Sequence, residues 1–436
     1  PSRKQAQGRW LERSCDWIAD LLLQSPVMPV CAKALLILPV ALGSPPHWEK
    51  PETARWIAST LDWGFLSTTS TRSDASTIGD PFGNPYSFAV SSGGVPYLFA
   101  SMLDASMVDA FGAKPAKPRA SLALSEAEIT DPDPVTRQYC SIGTYIGDPE
   151  NPPCARLVLS GTLVKLEANS SEGTAARKVL FERHPSFAEY PPSHDFFVAK
   201  LDIDGVWLID FYGGAAIIPP AQYFGARVLT TRRSQAPKAQ AVAASPPPYQ
   251  NKAATARWMA ASSFWGALST ISTRSAATRI GDAFGNPSSF ADVGGVPYLY
   301  VSDDDASMID VFVAKSANPR VSLALSEATL SGTPLARPDC TIGAGLGDPE
   351  NPPCARLVLS GKMVRVRANS TEEQAAKKAL FEKHPSFTRY PKDHAFFTAK
   401  LEVDGVWLID FYGGAANIKP EEYFATSPSH LSAFVI

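Results

Sequence analysis

The chain has 436 residues, a formal net charge of −3, and 45% hydrophobic against 19% charged residues. That is enough length for two or three globular domains of ordinary composition. It provides no basic field, which excludes binding of DNA or RNA by bulk electrostatics.

Residues 1–27 show no apolar period and no counterpart elsewhere in the chain. At Met28 the text changes to MPVCAKALLILPVALGSPP: Lys33 brings a charge, Ala34 to Leu42 an apolar run, and Ala41-Leu42-Gly43 a small-residue exit. This is the pattern of a secretory signal peptide over 28–43, too short and proline-broken to span a membrane. On this reading Met28 is the true start and residues 1–27 extend the gene model. The competing reading is a disordered extension ahead of a helical apolar segment. Either way, residues 1–50 form a leader.

A first unit runs over 51–224. It opens with TARWIASTLDWG, helical in spacing through Trp56, Ile57 and Leu61, with Gly64 as its stop. Strands follow: GVPYLFAS from Gly94, RASLALSEA alternating through Leu122 and Leu124, then ARLVLSGTLVKLEA as two strands hinged at Gly161. One helix comes next and ends before Pro185, which forbids continuation. The unit closes on FFVAKLDIDGVWLIDFYGG, read as a hairpin with Asp204-Gly205 at its turn.

DGVWLIDFYGGAA occupies 204–216 and recurs unchanged at 404–416, which marks an internal duplication. Val206 and Leu208 alternate with Trp207 and Ile209, so both faces of this strand are apolar and both should be buried. Residues 225–253 are an Ala/Pro/Ser-rich linker with the run Pro246-Pro247-Pro248. The second unit, 254–424, repeats every segment: TARWMAASSFWG, GVPYLYVS, RVSLALSEA, ARLVLSGKMVRVRA hinged at Gly361, and a helix for which Thr371 and Gln374 suggest a capping box. A tail, 425–436, follows. Several antiparallel strands with few helices imply mainly-β units, each a small closed or split barrel.

Cys15 and Cys31 fall in the leader, whereas Cys140 with Cys154 and Cys340 with Cys354 form one pair per unit. A disulfide in each unit is favoured over two buried thiols, because GDPENPP between them is polar and turn-rich. Such a bridge adds about 3 kcal/mol in the chain-entropy model and requires an oxidising compartment. N-glycosylation triplets occur at Asn169 and Asn369, each just before the polar start of a helix.

Seven ordered blocks per unit carry a family resemblance. In the second unit they are WGALSTIST, GVPYLYVS, NPRVSLAL, CARLVLSG, ALFEKHPSF, the run from His394, and VWLIDFYGGAANIKPEEYF. Each unit resembles a CREG protein, a family with the split-barrel fold of the pyridoxamine 5'-phosphate oxidases and other flavin proteins. The resemblance implies secreted or endolysosomal glycoproteins that dimerise through the barrel, and flavin-binding relatives hold FMN at that dimer interface. Here the tandem copies would supply both halves: a linker of this length spans about 30 Å, which favours an intramolecular pseudo-dimer over two independent beads.

The flavin chemistry itself is weakly supplied. In the matching windows, DASMVDAFGAKPAKPR and DASMIDVFVAKSANPR, Ser106 and Ser307 are present but no arginine precedes the last residue, while Asp109 and Asp310 would repel phosphate. Arg72 and Arg274 are the substitutes, so Arg72, Ser106, Arg274 and Ser307 are the FMN phosphate candidates. His184 with His194, and His384 with His394, lack metal-ligand spacing. No catalytic residue emerges. The resulting expectation is a secreted or endolysosomal, non-catalytic CREG-like glycoprotein acting by binding and regulation, with no cofactor. The alternatives are an FMN-dependent oxidoreductase, betrayed by flavin absorbance, and a small-ligand or haem binder, which needs an open apolar pocket between the barrels.

Overall fold

In the computed structural model the described residues are 45–73, 77–114, 116–128, 140–142, 146–211, 214–227, 246–330, 337, 340–342, 346–412 and 414–428. The signal-peptide stretch 28–43, Cys15, Cys31 and most of the linker lie outside them.

The first unit opens with a helix, Lys50–Thr60, and contains strands β1 (Trp63–Thr69), β2 (Pro81–Ser87), β3 (Ala89–Val90), β4 (Pro96–Ala100), β5 (Arg119–Ser125), β6 (Ser141–Ile142), β7 (Ile146–Gly147), β8 (Arg156–Lys165), β9 (Phe197–Ile209) and β10 (Ala216–Ile217). The second repeats them as β11 (Trp265–Ile271), β12 (Ala283–Ser289), β13 (Ala291–Val293), β14 (Val296–Val301), β15 (Arg320–Ser326), β16 (Thr341–Ile342), β17 (Leu346–Gly347), β18 (Arg356–Arg365), β19 (Phe397–Ile409) and β20 (Ala416–Ile418). Each unit forms an 8-stranded antiparallel sheet curled around its own core, in the order β2-β1-β5-β8-β9-β4-β3 with β10 beside β9, and its equivalent in the second unit. Two tandem split barrels result.

Several features depart from the sequence reading, two of them in the long strands. First, β8 is one strand of 10 residues, not two hinged at Gly161; a register shift between Ser160 and Gly161 absorbs the glycine as a bulge. Second, Asp204-Gly205 turns no hairpin. It lies inside the continuous strand β9, opposite that bulge, with Ser160 facing Gly205 and Gly161 facing Ile203. The glycine serves a close approach instead, since a Cβ on Gly205 would meet the Ala277 carbonyl oxygen of the second barrel at 2.2 Å.

The repeated strand shows why both of its faces are apolar. Val206 and Leu208 enter the core of their own barrel, while Trp207 joins a cluster built from both barrels. Its last carboxylate, Asp210, is buried and ion-paired to Lys50 at the start of the first helix; Asp410 and Lys252 repeat the arrangement.

The helix Ser171–Arg183 and its counterpart Thr371–Lys383 cover one end of each barrel, burying Ala176 and Leu180, and Ala376 and Leu380. The cap sits one residue earlier than Thr371: Ser370 Oγ accepts from Glu373 N–H at 3.1 Å, and Glu373 accepts from Asn369 N–H at 2.6 Å. Among the described residues no helix is long and apolar enough to cross a membrane.

Candidate functional site between the barrels

The barrels meet along β1, β2 and β5 of one and β11, β12 and β15 of the other. Ser67 and Ser269, equivalent residues, bond to each other at 2.9 Å and mark a pseudo-two-fold axis. On either side of it Gly83 N–H donates to Ser322 and Gly285 N–H to Ser121, both at 3.0 Å. These glycines let the sheets touch: a Cβ on Gly83 would lie 2.6 Å from Ser269 Oγ.

The flavin candidates sit beside this contact. Arg72, just past β1, donates from Nε to Asp109 Oδ1 at 2.9 Å and from Nη2 to Oδ2 at 3.1 Å, while Thr71 N–H reaches Oδ1 at 2.9 Å. The guanidinium lies 4.4 Å over the Phe82 ring. In the second barrel Arg274 grips Asp310 at 3.1 and 2.9 Å and lies 4.2 Å over Phe284. Asp109 and Asp310 are fully buried. Burial pushes the Asp109 carboxyl above the ordinary carboxylate range, against the pull of Arg72 and the Thr71 N–H.

Ser106 and Ser307 are engaged in another way. Each hydroxyl accepts from an asparagine, Asn84 or Asn286, at 3.2 Å, and Asn84 also donates to Asp104, which caps the short helix Ala105–Met107. An FMN phosphate at Arg72 or Arg274 would have to displace a buried carboxylate of like charge from a two-pronged grip. The residues present therefore do not fit that group.

A second pair of clusters involves His184 and His384, for which the sequence reading found no metal-ligand spacing. Turns built on Asp148 shape the loop closed by the Cys140–Cys154 disulfide: Asp148 N–H donates to the Cys140 carbonyl at 2.7 Å, and Asp148 Oδ1 accepts from Glu150 N–H at 3.0 Å. The loop reaches into the other barrel. Asp148 accepts from the Ser289 hydroxyl and holds His384 Nδ1 at 3.1 Å, and Glu150 accepts from Ser289 N–H at 2.9 Å. The Cys340–Cys354 loop reciprocates: Asp348 takes Ser87 Oγ at 2.5 Å and His184 Nδ1 at 3.2 Å, and Glu350 takes Ser87 N–H at 3.0 Å.

Serine, histidine and aspartate thus converge, but in the wrong order for nucleophilic catalysis. The carboxylate stands between the serine and the imidazole, and the other ring nitrogen faces a backbone carbonyl, Phe88 or Phe290. Both histidines are essentially fully buried. Burial works against the Asp148 charge, but His384, Ser289 and the Glu150 N–H outweigh it and hold its carboxyl below the ordinary range. Glu150 is pushed the other way, up to about 8, by burial, with Asp305 and Asp148 adding to it against Arg156. His194 and His394 lie exposed, whereas His184 and His384 are buried.

A family model described as CREG, beta-barrel matches residues 45–225 and again 247–425. The chain belongs to the CREG beta-barrel family. Protein CREG1 of Gallus gallus is 36% identical over 207 residues, which are 45% of this chain and 96% of that protein. Protein CREG2 of Homo sapiens is 36% identical over 191 residues, 43% of this chain and 60% of that one. Among solved structures, a heme binding protein from Mycobacterium smegmatis aligns over 55% of this chain and 88% of its own at 20% identity and TM-score 0.31. Campylobacter jejuni ChuZ aligns over 42% and 63% at 12% identity and TM-score 0.29. At those scores neither bears on what this CREG chain binds.

Between the two CREG barrels, arginines bridge at the rim. Arg119 binds Asp282 of the other barrel at 2.8 Å and Asp204 of its own at 2.8 and 2.9 Å. Arg320 likewise binds Asp80 at 2.8 Å and Asp404 at 3.1 Å. Beside Arg320 lies a cleft of about 350 Å³ lined from both barrels by Ser73, Thr77, Asp404 and Lys419 among others. Its lining mixes Arg320, Asp404 and Lys419 with Val406, Ile418 and Pro420, so this cleft is not the open apolar pocket that a haem would need. The one cluster of metal-ligating types among the described residues is Glu126 with Cys140 and Cys154, whose sulfurs are committed to the disulfide. The candidate glycosylation residues Asn169 and Asn369 are exposed, and the serines after them cap the following helices.

Proposed function

We propose that this CREG-family chain is a secreted or endolysosomal glycoprotein without catalytic activity, acting by binding and regulation through the outer surface of an intramolecular pseudo-dimer. The observation that carries the reading is the pair of buried Arg–Asp grips, Arg72 with Asp109 and Arg274 with Asp310. The protein's own carboxylates satisfy the cations on which a flavin phosphate would depend, once in each barrel. The division into a leader, barrels at 51–224 and 254–424, a linker and a tail belongs to the same reading, with cleavage after the 28–43 signal and glycans on Asn169 and Asn369. The disulfides fit an oxidising lumen.

The test is a flavin titration of protein from a eukaryotic host, with its visible spectrum. Colourless protein that leaves FMN fluorescence unquenched is expected, and stoichiometric bound flavin would replace this reading with that of an oxidoreductase. Glycosidase treatment should increase gel mobility. N-terminal sequencing of secreted material should begin near Ser44, and a mature end well before it would refute the signal assignment.

A further inference from the structure

We propose that the interface is heterotypic by construction: the first barrel fits the second and rejects another first barrel. The inference rests on the contacts between the barrels and not on the flavin reading. It starts from one pair of equivalent positions that differ, Phe65 and Ala267. Their equivalence is fixed by register, since Phe65 faces Pro85 and Ala123 while Ala267 faces Pro287 and Ala324. Both are fully buried in the cluster shared by the two barrels, two residues along the strand from the Ser67–Ser269 contact.

A single ring serves both sides of the axis. Phe65 lies 5.4 Å from Trp63 of its own strand and 5.7 Å from Trp265 of the other barrel, edge-to-face with each. Near a two-fold axis, whatever one barrel projects its twin projects back. Two first barrels would bring two Phe65 rings to the space that one now fills, and overpacking of a dense core is destabilising. Two second barrels would bring two Ala267 methyls and leave a void beside two tryptophans. Only the mixed pair has one ring for one gap. This combines attraction with exclusion, as partner choice requires.

The device matters because the hydrogen bonds at the axis are self-complementary. Serine meets serine, and each glycine N–H meets the equivalent serine across the interface. Without the Phe/Ala difference, nothing in these contacts would distinguish a chain closing on itself from chains joining through like barrels.

The test is a substitution cycle in the full-length chain, read by thermal unfolding and light scattering. Phe65→Ala should lower Tm by about 5 °C or more through its cavity, and Ala267→Phe should lower it comparably through overpacking. The exchange Phe65→Ala with Ala267→Phe should recover most of both losses, because it again supplies one ring and one gap. If Ala267→Phe does not fold, Ala267→Val should show a smaller loss that Phe65→Ala relieves. Additive losses in these cycles, or an Ala267→Phe chain as stable as the parent, would overturn the proposal.

Discussion

The two barrels are alike in the clasp that each makes on the other and unlike one residue before it in the chain. Across the interface each acidic loop clasps the opposite histidine and serine with nearly the same distances. At the helix that ends in His184 or His384 the match breaks down. Arg183 is ion-paired to Asp62 and donates to the Thr60 carbonyl at 2.6 Å. Its equivalent, Lys383, has Phe264 where the first barrel has Asp62; it donates to the Ala261 carbonyl at 3.2 Å and lies 5.1 Å over the Phe264 and Phe290 rings. Burial pushes its ammonium down to about 8. The clasp residues match in both copies, whereas this neighbouring position differs together with its partner, Asp62 or Phe264.

That contrast can be broken most forcefully at the clasp. Asp148→Ala strands a buried histidine and serine in the other barrel, and should cost about 3–5 kcal/mol in chemical denaturation. Asp348→Ala should cost the same, and a large inequality would dissolve the symmetry. Next, replacing Cys340 and Cys354 together with serine should cost about 3 kcal/mol. It should also loosen the clasp on Ser87 and His184, seen as faster amide exchange at Ser87.

Much of this architecture was legible beforehand. Apolar alternation and the unchanged 204–216 text gave the strands, the duplication and the two-sided burial of Trp207. Three features escaped for physical reasons. Asp-Gly favours a hairpin locally, but the bulge at Gly161 and the approach of Ala277 made it a strand interior. The helix cap moved because Ser370 with Glu373 outcompeted Thr371 with Gln374, one residue along. The clasp joins Asp148 to His384 and Asp348 to His184, partners that no spacing rule connects, and a polar loop gives no sign that its carboxylates will be buried in another barrel.

A smaller effect sharpens the comparison through pH. Glu150 titrates near 8 in the fold and near 4.3 when unfolded, so the folded chain holds the extra proton between those values. Its contribution is full below the unfolded value and fades as pH rises through about 8. Tm should therefore fall from about pH 5 to about pH 8 and level off above it, and Glu150→Gln should flatten part of that fall. Asp148 and Asp348, held below their ordinary range, act oppositely: their contribution is present above about pH 4 and is lost as acid protonates them. Smallest is the effect at the unlike pair, Arg183 and Lys383. Lys383→Met should cost less than about 1 kcal/mol, and Arg183→Met about 2 kcal/mol, because the second removes the ion pair to Asp62. Equal costs would show that the ion pair adds nothing.

The pairing of the barrels is tested most directly by coupling across it. A double-mutant cycle of Asp148→Ala with His384→Ala should give an interaction energy of about 2 kcal/mol or more, while Asp148→Ala with His184→Ala, within one barrel, should be additive. Coupling to His184 instead, or to neither histidine, would contradict the reciprocal clasp.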